Sequence, residues 1–263
     1  MKNFELPYNF QNDYFDMLST LDKKYFDYIK FIYLPAFKEC NIKNSREYQE
    51  LLNNPNYYDF DNYIKVLEKI KSFNIDIALL MQRGATLDII DKYYNEYNIK
   101  YFVIGDDNLA KEIRKKYDNK IYLILSITKV LTYNDIITKD LSMYDEIVLF
   151  FWFNKHLDYI KKLPSKYNYS ILVNSNCIYN CKYAQSHWFL NKYICGKDDY
   201  IPIMISPYDL ILFDKYINSY KLVDRTSASD YIISSLKEYV DEYCKIDYNT
   251  YDATKEKNYN VID

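Results

Sequence analysis

Glycine is almost missing from this chain of 263 residues. Only Gly84, Gly105 and Gly196 occur. A Walker A loop and the GxGxxG dinucleotide turn each need several glycines within a few residues, so nucleotide binding by those two routes is excluded. The same scarcity removes the nucleophile elbow of a serine hydrolase, because no glycine flanks a serine in the required way. Histidine is nearly absent too, with His156 and His187 alone, and no HExxH zinc-protease helix is present. No apolar run approaches the roughly 20 residues of a membrane helix. The opening MKNFELPYNFQNDYF lacks the apolar stretch of a signal peptide, so no membrane association and a cytoplasmic location are expected. An excess of positive charge is also lacking. Lys and Arg total 34 against 37 Asp and Glu, a net charge of −3, which leaves no strong nucleic-acid signature.

Tyrosine, with 33 copies, is abundant. The tyrosines run from Tyr8 to Tyr259 without a cluster, which reads as compositional bias toward Asn, Lys, Ile and Tyr. Pairs such as Tyr57-Tyr58 and Tyr93-Tyr94 fit amphipathic helix packing better than a stacking platform.

Short apolar runs alternate with amphipathic stretches. The runs are Ile29–Leu34, Asp76–Met81, Tyr101–Gly105, Ile121–Ile127, Glu146–Phe153, Tyr169–Asn174, Ile201–Ile205 and Ser219–Val223. Most are apolar throughout, as suits parallel strands buried on both faces. Between them, Asn62–Phe73 and Thr86–Tyr97 carry helical periodicity. Asp106, Ser206 and the stretch Thr226–Ser229 read as N-caps. Eight strands with intervening helices predict an α/β fold, a single-domain (β/α)₈ TIM-barrel-like structure over residues 1–247. A polar tail, 248–263, is expected to be loosely held. An open doubly wound sheet is the alternative, and it lacks its glycine-rich first turn here.

One connection breaks the pattern. After the sixth predicted strand comes NSNCIYNCKYAQSHWFLNKYICGKDDY, without helical period and with three of the five cysteines. It leaves the C-terminal end of a strand, the face on which barrel enzymes keep their active sites. A long irregular connection in a small domain is usually functional.

The stretches LVNSNCIYNC, IPIMISPYDL and SYKLVDRTSASDYI, with the N-terminal LPYNF and a strand ending in Tyr33, resemble the collagenase-like peptidase family of unassigned catalytic type. The resemblance implies a barrel-like fold. It also implies either oxygen-independent hydroxylation of a small or macromolecular substrate, with an iron–sulfur cluster on four cysteines, or a related modification. Cys177, Cys181 and Cys195 match the cysteine-bearing segment, with no fourth cysteine in the following stretch. Asp224 stands where the strand-eight motif has glycine, while Lys221 and Arg225 remain.

Read from the residues themselves, three thiols and the imidazole of His187 could close a four-coordinate site for an iron–sulfur cluster or zinc. Ordinary buried thiols are the alternative. Cys40 could supply a further sulfur, and Cys244 reads as structural. Strand alternation points Lys221 into the barrel, where a charge needs a partner or an anion. Arg225 could fork onto a carboxylate or phosphate. An internal salt bridge to a neighbouring strand is the competing reading for Lys221. The catalytic candidates are thus Lys221, Arg225 and Asn174, and the substrate-binding candidates Arg83, Asn154 and Trp188. Cys177, Cys181, Cys195 and His187 are the metal ligands. Other rim candidates are Tyr33, Gln82, Ser126, Asp106 and Ser206, the last two reading as caps. His156 reads as a solvated helix start. The expected ligand is an anionic small-molecule or macromolecular substrate. Two rivals to an enzyme stay open: a catalytically inactive subunit that binds a protein partner, and a barrel stapled by structural zinc.

Overall fold

The strands form where short β-branched and aromatic runs can be buried on both faces, and eight of them close a parallel barrel in sequence order. In the computed structural model, which describes residues 3–37, 54–81, 84–175, 202–223 and 227–261, the strands are β1 (Asn3–Pro7), β2 (Ile29–Pro35), β3 (Asp76–Met81), β4 (Tyr101–Ile104), β5 (Tyr122–Leu125), β6 (Glu146–Val148), β7 (Asn168–Leu172) and β8 (Ser219–Lys221). β1 pairs with β8 and closes the ring. The (β/α)₈ fold class is therefore as the sequence predicts.

Two strand assignments change. The predicted strand at Ile201–Ile205 is not a stave of the barrel. Within its described part the chain runs alongside the end of β7, and the Ile205 amide donates to the Val173 carbonyl (2.9 Å). Its apolar character has another cause: Ile203 plugs the barrel end and Ile205 packs outward, both fully buried. The missing stave is β1, NFELP, whose central Glu5 breaks the apolar pattern. The cysteine-bearing connection consequently follows β7, not the sixth strand. β6 is also shorter than expected. After Val148 the chain turns into a 3₁₀ segment, Phe151–Lys155, which sends Phe151 into the barrel's interior cluster.

Around the barrel run α1 (Tyr14–Ser19), α2 (Lys23–Phe26), α3 (Pro55–Tyr58), α4 (Phe60–Ser72), α5 (Leu87–Tyr97), α6 (Asp107–Tyr117), α7 (Tyr133–Thr138), α8 (Leu157–Ile160), α9 (Leu210–Phe213) and α10 (Ser229–Tyr243). The Asp106 carboxylate caps α6, accepting from the Asn108 and Leu109 amides (2.8 and 3.2 Å). Asn98, which closes α5, stands at φ 49°, and Asn74, just past α4, at φ 57°. Asparagine thus takes the left-handed positions that glycine usually fills. Among the described residues no helix is long and apolar enough to cross a membrane.

Three local expectations are corrected. The N-cap of α10 is Ala228, without a side-chain cap. The Ser229 hydroxyl is taken by distant partners, donating to Asp13 (2.6 Å) and accepting from the Asn9 amide (3.0 Å). His156 is buried, not solvated, because its ring stacks on Trp152 at 3.5 Å. The described part of the tail is anchored near its end: Tyr259 is buried, and its ring meets Phe213 edge-on at 5.2 Å.

Replacing Asp106 with alanine is expected to destabilise the fold by about 1 kcal/mol, the usual worth of such a cap. Urea denaturation of Asp106→Ala checks this, and an unchanged midpoint would show that the cap contributes nothing.

Candidate functional site

Strand alternation gives the barrel an inner face of mixed character. Phe31, Ala78, Val103, Ile124, Val148 and Leu172 make an apolar wall. Against it lies a cluster of buried ionisable groups, Glu5, Glu146 and Lys221, with Lys30 half-buried beside them. A register break puts Lys30 there. Phe4 pairs with Ile29 but Glu5 pairs with Phe31, so Lys30 is the extra residue of a β-bulge. Ile29 and Ile32 pack outward, whereas Lys30 and Phe31 both point in. Re-aiming one side chain is what a bulge does.

Glu5 is at the centre. One carboxylate oxygen accepts from the Ser219 hydroxyl (2.7 Å) and the other from the Lys221 ammonium (3.1 Å). The second oxygen of Ser219's bridge is Glu146, 3.0 Å away. Glu146 is also held by the Lys30 ammonium and by the Tyr122 hydroxyl (3.0 Å). β2 and β6 stand on opposite walls of an eight-stranded ring, so the Lys30–Glu146 pair spans the barrel. Burial alone would raise the Glu5 carboxyl. The ammonium groups of Lys221 and Lys30 outweigh it and bring Glu5 down to about 2. Glu146 goes the other way, raised by burial and by the negative charge of Glu5. The two carboxyls are thus shifted in opposite directions, the pattern expected of two acids that share a site.

Lys221 occupies the C-terminal end of β8. Besides Glu5 it meets the ring of Tyr33, with the ammonium 3.6 Å from the ring centroid. Tyr33 in turn donates its hydroxyl to the Leu222 carbonyl (2.6 Å), tying β2 to the end of β8. The inward orientation of Lys221 matches the alternation argument, and its salt bridge runs to an acid on the neighbouring strand.

The other described candidates sit on the same rim. Asn174 uses both ends of its amide on Val223, accepting from the amide (2.7 Å) and donating to the carbonyl (3.3 Å). It prolongs the β7–β8 pairing by one rung. Asn154 is fully buried and donates to the carbonyls of Leu172 (2.6 Å) and Ile203 (3.0 Å), while its own carbonyl oxygen has no partner among the described residues. Ser126 and Ser206 cap the turns that follow them. Ile127, Phe151 and Ile203 make the barrel's C-terminal end apolar. Arg83, Cys177, Cys181, His187, Trp188, Cys195 and Arg225 lie outside the described residues, as do Cys40, Gln82 and Asp224. Cys244 is exposed at the end of α10. Among the described residues no group of three His, Cys, Asp or Glu side chains is placed to hold a metal ion.

The sequence reading missed Glu5, Lys30, Tyr122, Glu146 and Ser219. A usable signal existed: a charge inside or at the start of a buried strand, as in NFELP, IKFIYL and EIVLF, needs a partner within the barrel.

No family model matches the sequence, and no curated protein matches it. Among solved structures, the chain is similar to one described as the crystal structure of an uncharacterized B. cereus protein. The identity is 11% and the TM-score 0.45, with 91% of this chain and 65% of that chain covered. The chain therefore spans about two thirds of that protein's length.

The two carboxyls impose opposite pH dependences. Glu5, depressed from 4.5 to about 2, stabilises the fold above about pH 4.5, and that contribution is lost as pH falls toward 2. Glu146, raised, stabilises below its unfolded value and loses that contribution as pH rises through its folded value. Glu5→Gln breaks a buried ion pair and is expected to cost about 3–5 kcal/mol at neutral pH. It should also flatten the loss of stability between pH 4.5 and 2. Glu146→Gln should instead flatten the loss on raising pH. Urea denaturation across a pH series reads both, and identical profiles for the two variants would overturn the assignment.

Proposed function

We propose that this (β/α)₈ barrel acts at its C-terminal rim on an anionic ligand, as an oxygen-independent hydroxylase or a related modifying enzyme of the kind its motifs resemble. The observation that carries this reading is Lys221. A cation is held at the C-terminal end of a barrel strand, buried, fixed by Glu5 and bordered by Tyr33. Buried cations at that end of a barrel suit anion binding. The connection from Asn174 leaves the barrel beside the strand that carries Lys221.

In this proposal Cys177, Cys181 and Cys195, with His187, hold an iron–sulfur cluster or zinc. Three thiolates and an imidazole form a donor set that suits either group. When bound, a cluster supplies electron transfer and zinc supplies Lewis acidity. The chain's own residues do the rest. Lys221 and Arg225 anchor the anion, Glu5 keeps Lys221 in place, and Asn154 and Asn174 fix the backbone of the rim on which Arg83 and Trp188 complete the ligand's surroundings.

A second reading, a catalytically inactive subunit that binds a partner, draws on a different observation. The NH2 groups of Asn154 and Asn174 are engaged with backbone carbonyls, and Asn154 donates to two of them, which leaves it no proton to donate to a substrate.

Iron, zinc and acid-labile sulfide should be measured, with a visible spectrum, on protein purified without oxygen beside Cys177→Ser. Iron and sulfide are expected in the parent protein and lost in the variant. Stoichiometric zinc without colour would replace the cluster with a structural staple, whose removal by a chelator should lower stability. Absence of both metals would overturn the metal-dependent reading and leave the binding subunit.

A further inference from the structure

We propose that residues 253–261 are a clamp that sets the position of the two rim segments following β6 and β7. The clamp is built into the fold independently of what the rim binds. Its backbone is a 3₁₀ segment, Ala253–Tyr259, which depends on outside contacts because long 3₁₀ runs are poor in themselves.

One side of it grips the segment after β6. The Val261 amide donates to the Lys155 carbonyl (3.0 Å), and the Asn260 side chain accepts from the Asp158 amide (2.9 Å). Asn260 also makes a backbone bridge to His156. The Lys155 ammonium lies 4.6 Å from the Tyr259 ring centroid and reaches the Asn258 carbonyl (3.4 Å). The other side grips the segment before α9. The Tyr259 hydroxyl donates to Asp209 (2.7 Å) and accepts from the Ser206 amide (3.4 Å), while Lys255 pairs with Asp209 (3.2 Å).

The two gripped segments also meet each other, through Asn154 and the Ile203 carbonyl. Asn154 is next to Lys155, and Ile203 precedes Ser206 by three residues. The clamp therefore holds from outside the joint that Asn154 makes inside. Tyr259 is the buried hydrophobic anchor of the clamp, at 4% exposure, and Tyr251 is 40% exposed. A single buried anchor with peripheral polar bonds makes a unit that opens separately from the barrel core.

Native-state hydrogen exchange of the full chain tests this, with Tyr259→Ala and Tyr259→Phe compared with the parent. In Tyr259→Ala, protection is expected to fall about tenfold or more at residues 153–161 and 205–214, with α4, α5 and α6 unchanged. Tyr259→Phe keeps the ring against Phe213 and loses the hydroxyl, so its loss should be confined to 205–209. Protection lost only within residues 248–261 would overturn the clamp and make the segment a passive tail. An equal loss throughout the barrel, α4 to α6 included, would overturn it too, by making Tyr259 a general core residue.

Discussion

A carboxylate buried inside the barrel sets the terms for everything around it. Glu5 is fully buried, and an ionised group there persists only if the surrounding chain supplies charge and hydrogen bonds. Those come from two neighbours in the ring, Lys221 and Ser219 on β8, and from the bulged Lys30 on β2. The second acid, Glu146, completes the count of charges and in doing so is pushed toward its neutral form. Buried ion pairs are weak evidence for stability in themselves. Their value here is geometric. A one-residue slip of β1 or β8 would turn its charged side chain to the other face and part it from its partner, so the pair disfavours that slip.

Much of the barrel was legible in the sequence because parallel strands buried on both faces are predominantly apolar, and β4 and β5 are apolar throughout while β2, β3, β6 and β7 lie in predominantly apolar runs. β1, in contrast, is a short run with Glu5 in its middle, and that charge hid it. Ile203 and Ile205 misled in the opposite sense, since plugging the barrel end demands the same residues as a strand does. The orientation of Lys221 could be read from alternation within SYKLV. Its partner could not, because Glu5 lies 216 residues away in sequence. Local pattern gives the direction of a side chain and is silent about what meets it. The same limit applies to Asn154 and Asn174: residue type and strand end put them on the rim, and only the fold shows their amides bound to backbone.

Scarcity of glycine has a visible cost in the backbone. Phe10, Asn74, Asn98, Asp118 and Val130 all stand at positive φ. Asparagine and aspartate tolerate that region through local hydrogen bonding, whereas valine and phenylalanine do so against their steric preference. In return, a chain with few glycines has a less diverse unfolded ensemble, so less entropy is lost on folding.

The charge cluster also bears on the order in which the protein can be made. Glu5 precedes Ser219 and Lys221 by 214 and 216 residues, so it is synthesised well before them. Until they arrive, Glu5 lacks its closest ammonium partner and its Ser219 hydrogen bond, and burying it with Lys30 alone would leave the carboxylate under-compensated. Closure of the ring therefore depends on β8 both for its pairing with β1 and for the groups that compensate Glu5. A chain interrupted before β8 would lack both the closing strand and the partner of Glu5, and its barrel would be destabilised twice over.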